Sequence, residues 1–255
     1  MLMLYFSGTG NSKYIAKQFA ANMSADCHSI EENIDFTKLL SESDTVAVCY
    51  PIYGSCVPRI FREFVAQHTQ SFAGKKLILF CTQMLFSGDG SRAFARLLPC
   101  LENQVIYAEH FRMPNNICNF WLFPVKDKER IRKKRAADRK LEQVCKDIQN
   151  GIVKRRGWNY FSTFLGKTQN LLWPIIERND RGSFTVDNDC NRCGLCVRCC
   201  PVQNLALTEN GIQQKNNCIL CYRCANICPK KAATVMLHTK PKRQYKGITD
   251  NCNLP

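Results

Sequence analysis

The chain has 255 residues, 36 Lys and Arg against 21 Asp and Glu for a formal charge of +15, and 17 cysteines. Its length suits more than one domain. Its opening Met1-Leu2-Met3-Leu4-Tyr5-Phe6 lacks the blocks of a secretory leader, and no run of about 18 apolar residues exists to span a bilayer. An odd cysteine count, with nine packed between Cys190 and Cys228, argues against a disulfide framework and for a reducing, cytoplasmic compartment.

Met1 to Phe6 is a short apolar run suited to a buried parallel strand, and it leads at once into Ser7-Gly8-Thr9-Gly10-Asn11-Ser12 and a helical pattern from Lys13 to Met23. Strand, loop and helix in that order make a phosphate loop. Glycines let the backbone curl around an anion, while hydroxyls and N–H groups at the helix start donate hydrogen bonds to it. A dinucleotide fingerprint is excluded because Lys13 stands where its third Gly belongs, and P-loop spacing is absent as well. Thr45 to Tyr50 reads as a strand ending in Pro51-Ile52-Tyr53-Gly54, followed by a helix from Pro58 to Phe64 with Pro at its start. Lys76 to Cys81 reads as the next strand; it ends in the loop Thr82 to Gly90, and Arg92 to Leu98 is helical. This alternation predicts an α/β doubly wound parallel sheet whose loops sit at strand C-termini.

The Thr-Gly-Asn loop on this framework resembles the first loop of the flavodoxins. The resemblance implies a flavodoxin-like domain over residues 1–111, strand order 2-1-3-4-5, and bound FMN. It implies that Ser7, Gly8, Thr9, Gly10, Asn11 and Ser12 take the phosphate. Pro51, Ile52, Tyr53 and Gly54, with Thr82, Gln83 and Gly88, would flank the isoalloxazine, and Tyr53 is the candidate for ring stacking. The third loop departs from the acidic, aromatic pattern of many flavodoxins, holding only Asp89 and Phe86 of those types. It leaves the cover of the outer flavin face unassigned.

Residues 112–181 form a basic connector, with 17 Lys and Arg against 7 Asp and Glu, so that it supplies ten of the formal +15. Ile131, Leu141, Val144, Cys145 and Ile148 set a helical stripe within residues 127–150, and Trp158 to Ile176 is a second apolar stretch, so two helices joined by a Gly-containing turn are expected. Three uses compete. The connector can cover the first domain and dock the next; its Lys128, Arg130, Arg132, Lys133, Lys134 and Arg135 can steer an acidic redox protein; or residues 119–135, beginning Asn119-Phe120-Trp121-Leu122-Phe123, can touch a membrane peripherally. Nucleic acid is not expected as a partner.

Two cysteine runs follow: Cys190-x2-Cys193-x2-Cys196-x3-Cys200-Pro201, and Cys218-x2-Cys221-x2-Cys224-x3-Cys228-Pro229, the second repeating the first 28 positions later. Between them, Leu205 to Glu209 and Ile212 to Gln214 flank Asn210-Gly211 and read as a hairpin. Ser183 to Val186 and Ala233 to Met236 have strand composition and are placed to pair. A single zinc would leave the third Cys of each run and both Cys-Pro pairs without a role. Cys199 also continues the pitch of three from Cys196, but Pro201 after Cys200 matches Pro229 after Cys228 and favours Cys200.

These runs resemble the bacterial-type ferredoxins over residues 182–240, with 241–255 as a tail. The resemblance implies a small α+β domain holding two [4Fe–4S] clusters, because in that family the last Cys of each run ligates the other cluster. It implies Cys190, Cys193, Cys196 and Cys228 on one cluster, and Cys218, Cys221, Cys224 and Cys200 on the other. As a whole the chain resembles the flavodoxin–ferredoxin fusion proteins of anaerobic bacteria and archaea. The function so implied is a relay of single electrons between a redox partner, two clusters and FMN. The alternative is an FMN-dependent oxidoreductase that reduces a small molecule with electrons fed through the clusters, though only Tyr53 or Asp89 offers a proton donor and no catalytic residue is named. Cys49 and Cys81, on apolar strands, read as small buried hydrophobes, and Cys56 beside the second loop is the thiol to test for reactivity. His28, His68, His110 and His238 form no ligand pattern.

Overall fold

Parallel strands covered on both faces need side chains that are apolar without alternation. The segments β1 (Leu2–Tyr5), β3 (Thr45–Pro51) and β4 (Lys76–Gln83) supply them, each with an almost continuous buried run. The computed structural model describes residues 1–98, 101–120, 124 and 126–248. It divides into two units, one of Met1–Ser7, Asn11–Met113 and Lys133–Trp173, the other of Gly8–Gly10, Pro114–Arg132 and Pro174–Pro255. The stretch expected to be a separate connector is therefore shared between them.

In the first unit β2 (Asp26–Ser29), β5 (Val105–Arg112) and β6 (Lys154–Arg155) complete a six-stranded sheet of order β2-β1-β3-β4-β5-β6, parallel throughout. The expected order of five is present, extended at one edge by a strand of two residues. Four helices connect the strands: α1 (Asn11–Met23), α2 (Phe36–Ser41), α3 (Arg59–Gln67) and α4 (Gly90–Ala95). Asp35 caps α2 by accepting from the Lys38 N–H at 3.0 Å, which satisfies one of the donors that a helix start leaves over. The fourth helix starts two residues before Arg92 and stops at Ala95, short of the expected Leu98. Edge-to-face aromatic pairs join helix to sheet, Phe19 to Phe80 at 5.0 Å and Tyr50 to Phe61 at 5.9 Å, with all four rings buried. Each such ring contributes about 1.5–3 kcal/mol by burial.

Two helices were expected between residues 127 and 176, and two form: α5 (Asp127–Gln149) and α6 (Tyr160–Asn179). Along α5, Leu141, Val144 and Cys145 are buried and Ile148 half-buried, but Ile131 at the start of the expected stripe is exposed. The chain between the helices turns through Gly151 and Gly157, both in the left-handed region at φ +69° and +82°. Within the first unit, α6 turns its small and polar side inward. Ser162 and Gly166 are buried, and a Cβ on Gly88 would lie 2.6 Å from the Gly166 nitrogen.

The second unit is built from short pieces. The strands β7 (Thr185–Val186) and β10 (Ala233–Thr234) pair antiparallel, and β8 (Leu205–Thr208) and β9 (Gly211–Gln214) form the hairpin around Asn210-Gly211. Two single-turn helices, α7 (Leu195–Arg198) and α8 (Arg223–Ile227), start 28 positions apart. The same spacing recurs in the backbone. Arg192 and Leu220, Gly194 and Tyr222, and Gln203 and Lys231 all have positive φ, between 49° and 72°. A left-handed residue other than Gly is uncommon. Three such pairs at the period of the cysteine repeat mean that both runs follow the same path.

Candidate cofactor sites

The register of β1, β3 and β4 sets Tyr5 opposite Cys49 and Pro51 opposite Thr82, so the loops leave the sheet at one edge. There the Ile52 N–H donates to the Thr82 carbonyl at 2.9 Å, and the hydroxyls of Ser12 and Thr82 share a buried hydrogen bond of 2.8 Å. Ser7, Thr9, Ser12 and Thr82 are all buried. Gly10 takes φ +96°, which only Gly adopts at no steric cost. Among the described residues Thr9 Oγ1 is buried with no hydrogen-bond partner. A buried hydroxyl left unpaired costs about 1–3 kcal/mol, and a phosphate oxygen is the acceptor it lacks. On that observation the loop fits the FMN phosphate. The loop tip Gly8–Gly10 belongs to the second unit, where Arg223 donates from Nε to the Gly8 carbonyl at 3.0 Å and from Nη1 to the Cys199 carbonyl at 3.3 Å.

The second loop closes as a tight turn. Tyr53 and Cys56 exchange backbone hydrogen bonds of 3.1 and 2.8 Å around Gly54 and Ser55, whose φ values are +51° and +60°. The Tyr53 ring meets Trp173 of α6 at 5.9 Å and a tilt of 40°, and a Cβ on Gly54 would lie 2.7 Å from the Trp173 side chain. Ser55 Oγ donates to Gln169 Oε1, and Cys56 Sγ donates to Asn170 Oδ1 at 2.7 Å. Loops two and three therefore pack against α6, and the aromatic near Tyr53 comes from that helix. Phe86 of the third loop is 46% exposed. Trp173 was not singled out by sequence reasoning. Its only signal was the aromatic richness of Trp158 to Ile176.

Beneath the third loop lies a buried polar network that sequence reasoning missed altogether. Asp89, expected only as a proton-donor candidate, is fully buried and paired with Arg96. His110 lies with Nε2 2.9 Å from Ser91 Oγ and Nδ1 3.4 Å from Ser87 Oγ. Burial pushes its pKa down to about 4, so the ring is neutral at pH 7. Neighbouring Glu109 meets Lys140 at 3.1 Å, Lys154 at 3.4 Å and Arg156 at 3.2 Å. Burial alone would raise that carboxyl, but the His110 N–H, Lys140 and Arg156 outweigh it and hold it below its ordinary range. Cys49 and Cys81 are buried as expected, and burial raises both thiols, Cys81 to about 12.

In the second unit burial raises several thiols. Burial raises Cys196 to about 11, and the neighbouring charges of Cys190, Cys228 and Cys193 add to the effect. Cys221 is raised to about 12, again by burial first, with Cys218 and Cys200 contributing; Cys224 responds to Cys221, Cys218, Cys199 and Cys200. The Asn204 N–H donates to Cys200 Sγ at 3.2 Å, and 28 positions on the Ala232 N–H donates to Cys228 Sγ at 3.3 Å. Cys199 differs, since its thiol donates to the Cys196 carbonyl at 3.5 Å. Among the described residues no three His, Cys, Asp or Glu side chains converge on the position of one metal ion.

The sheet order, the three loops at one edge and the phosphate-loop geometry define a flavodoxin-like α/β domain. Residues 2–116, less than half the chain, match the family model described as Flavodoxin domain. Two solved structures are similar to this chain: the solution structure of two-electron reduced Megasphaera elsdenii flavodoxin, 24% identical over 43% of this chain and 85% of that one, with a TM-score of 0.37, and a flavodoxin from the domain Archaea, 12% identical over 58% and 97%, with a TM-score of 0.39. No curated protein matches the chain. Among the described residues no helix is long and apolar enough to cross a membrane.

Proposed function

We propose that this chain is an electron-transfer protein that passes single electrons between a redox partner, two [4Fe–4S] clusters and FMN in the cytoplasm. The observation that carries the flavin half is the buried, unpartnered Thr9 hydroxyl in a loop of the matched flavodoxin domain. For the cluster half the support is the backbone path that the two cysteine runs share, with matching left-handed residues and N–H donors to Cys200 Sγ and Cys228 Sγ 28 positions apart. When bound, FMN supplies a centre that takes two electrons with protons and releases them singly, and each cluster supplies a one-electron step.

The chain's own residues do the rest. Thr9 and the backbone of Ser7 to Ser12 would hold the phosphate, and Tyr53 and Trp173 would stand at the ring edge. Cys190, Cys193, Cys196 and Cys228 would hold one cluster, and Cys218, Cys221, Cys224 and Cys200 the other. The N–H groups of Asn204 and Ala232 donate to the sulfurs of Cys200 and Cys228, and such donors stabilise a thiolate. Exposed Lys128, Arg132 and Arg135 on α5 suit an acidic redox protein, whereas Lys133 is already engaged with the carbonyls of Met84 and Met113. In the segment suggested for membrane contact, Trp121, Leu122 and Phe123 lie outside the described residues, and Asn119 is buried with its amide on the Val235 carbonyl.

Anaerobic reconstitution tests the proposal. About eight iron and eight sulfide atoms and about one FMN per chain are expected. Cys196→Ser should lose about half the iron, and Thr9→Val should bind FMN at least about tenfold more weakly, since a hydrogen bond to a charged group is worth about 1.5–3 kcal/mol. Protein that binds zinc in place of iron, or a Cys196→Ser variant that keeps both clusters, would overturn the cluster assignment. Undiminished FMN affinity in Thr9→Val would overturn the phosphate site.

A further inference from the structure

The helix α6 is inside out. On its inward side Ser162 and Gly166 are buried, and Gln169 and Asn170 bond the second loop. Apart from Trp173, which packs on Tyr53, its most exposed large apolar side chains face the other way: Tyr160 is 89% exposed, Phe161 67%, Phe164 55%, Leu171 73% and Leu172 64%. At about 3.6 residues per turn these five fall within a stripe roughly 120° wide, and from Tyr160 to Leu172 it runs about 18 Å. A surface helix normally shows such a stripe to the core. Contiguous exposed apolar surface on this scale marks an interaction site.

Charge decides what covers it. From Ile148 to Ile176 the sequence holds Lys154, Arg155, Arg156 and Lys167 and no carboxylate. Lys154 and Arg156 reach Glu109 yet keep about half their side chains exposed, and Lys167 is exposed on α6 itself. A second copy would set these cations, and a formal +15, against the same charges. An apolar stripe with cations beside it is complementary to an anionic surface that is apolar beneath. A helix with one apolar and aromatic face and basic flanks suits the plane of an anionic membrane interface. Too short a stripe to span a hydrocarbon core of about 30 Å, it would lie flat.

We infer that the outward face of α6, formed by Tyr160, Phe161, Phe164, Leu171 and Leu172, is a peripheral docking surface for an anionic lipid bilayer. The inference stands apart from the cofactor assignments, since it uses no residue placed at either site. The test is co-sedimentation of the full chain, as purified, with vesicles of mixed phosphatidylglycerol and phosphatidylcholine and with phosphatidylcholine alone. Binding should favour the anionic vesicles, and Leu171→Glu/Leu172→Glu should weaken it at least about tenfold, because Leu loses its apolar transfer and the new carboxylates are repelled. Circular dichroism checks that the variant is folded. Should it not fold, Phe161→Ser/Phe164→Ser serves instead, with the same loss expected. Absence of vesicle binding overturns the inference, as does binding that the substitutions leave unchanged. So does a dimer or a complex with an acidic protein that uses the same side chains in place of lipid, as read by sedimentation velocity.

Discussion

His110 is a histidine that folding keeps from taking its proton. Only 4% exposed, it lies beside the hydroxyls of Ser87 and Ser91, and its pKa falls to about 4 from the ordinary value near 6.5. The unfolded chain therefore binds a proton near pH 6.5 that the folded chain refuses until about pH 4. The stability this group contributes is fully present above pH 6.5 and is lost as pH falls toward 4, by up to about 1.4 kcal/mol per pH unit. The Glu109 pKa is lowered as well, below the ordinary carboxylate range, so Glu109 does not titrate in the upper part of that window. Urea midpoints of the sheet between pH 6.5 and 5 should fall in the parent chain and stay nearly level in His110→Gln. Equal slopes in the two proteins would show that another group carries the effect.

Among the elements, α6 meets the third loop backbone to backbone. Gly88 has φ +54°, and a Cβ there would stand 2.6 Å from the Gly166 nitrogen and 2.8 Å from its Cα, neither of which can rotate away. Gly88→Ala should destabilise the first unit by about 1–3 kcal/mol through overpacking, with a further 1–2 from the left-handed backbone, roughly. Gly151→Ala has a similar φ of +69° but open space around it, so it should cost only the backbone part. Comparison of the two urea midpoints separates contact from strain. Elements set by short-range pattern were legible in the sequence: β1 with its loop and α1, β3, β4, and the hairpin around Asn210-Gly211. By contrast β5, reading Val105-Ile106-Tyr107-Ala108-Glu109-His110-Phe111-Arg112, hides its burial behind Glu109 and His110, whose side-chain partners Lys140, Ser87 and Ser91 lie 19 or more residues away. The sequence of α6 showed an apolar stretch but not which side of the helix would face outward. Trp173 reaches Tyr53 across 120 positions, a contact that no local pattern carries.

Across the molecule the two units differ in what holds them. The first has a six-stranded sheet with fully buried Phe19, Phe61, Phe80 and Phe94, enough to fold by apolar burial. The second has a pair of two-residue strands, a hairpin of four-residue strands and single-turn helices; Cys196, Cys218, Cys221 and Cys224 are buried there, as are Phe184, Leu205, Ile219, Tyr222, Val235 and Tyr245. Under the proposed function, cluster insertion is expected to be the folding event of this unit. Anaerobic removal of iron by a chelator should then release the amides of β7 to β10 to hydrogen exchange while those of β1, β3 and β4 stay protected. If β7 and β10 kept their protection after all iron was gone, the unit would be held by its polypeptide alone, and the clusters would be its passengers.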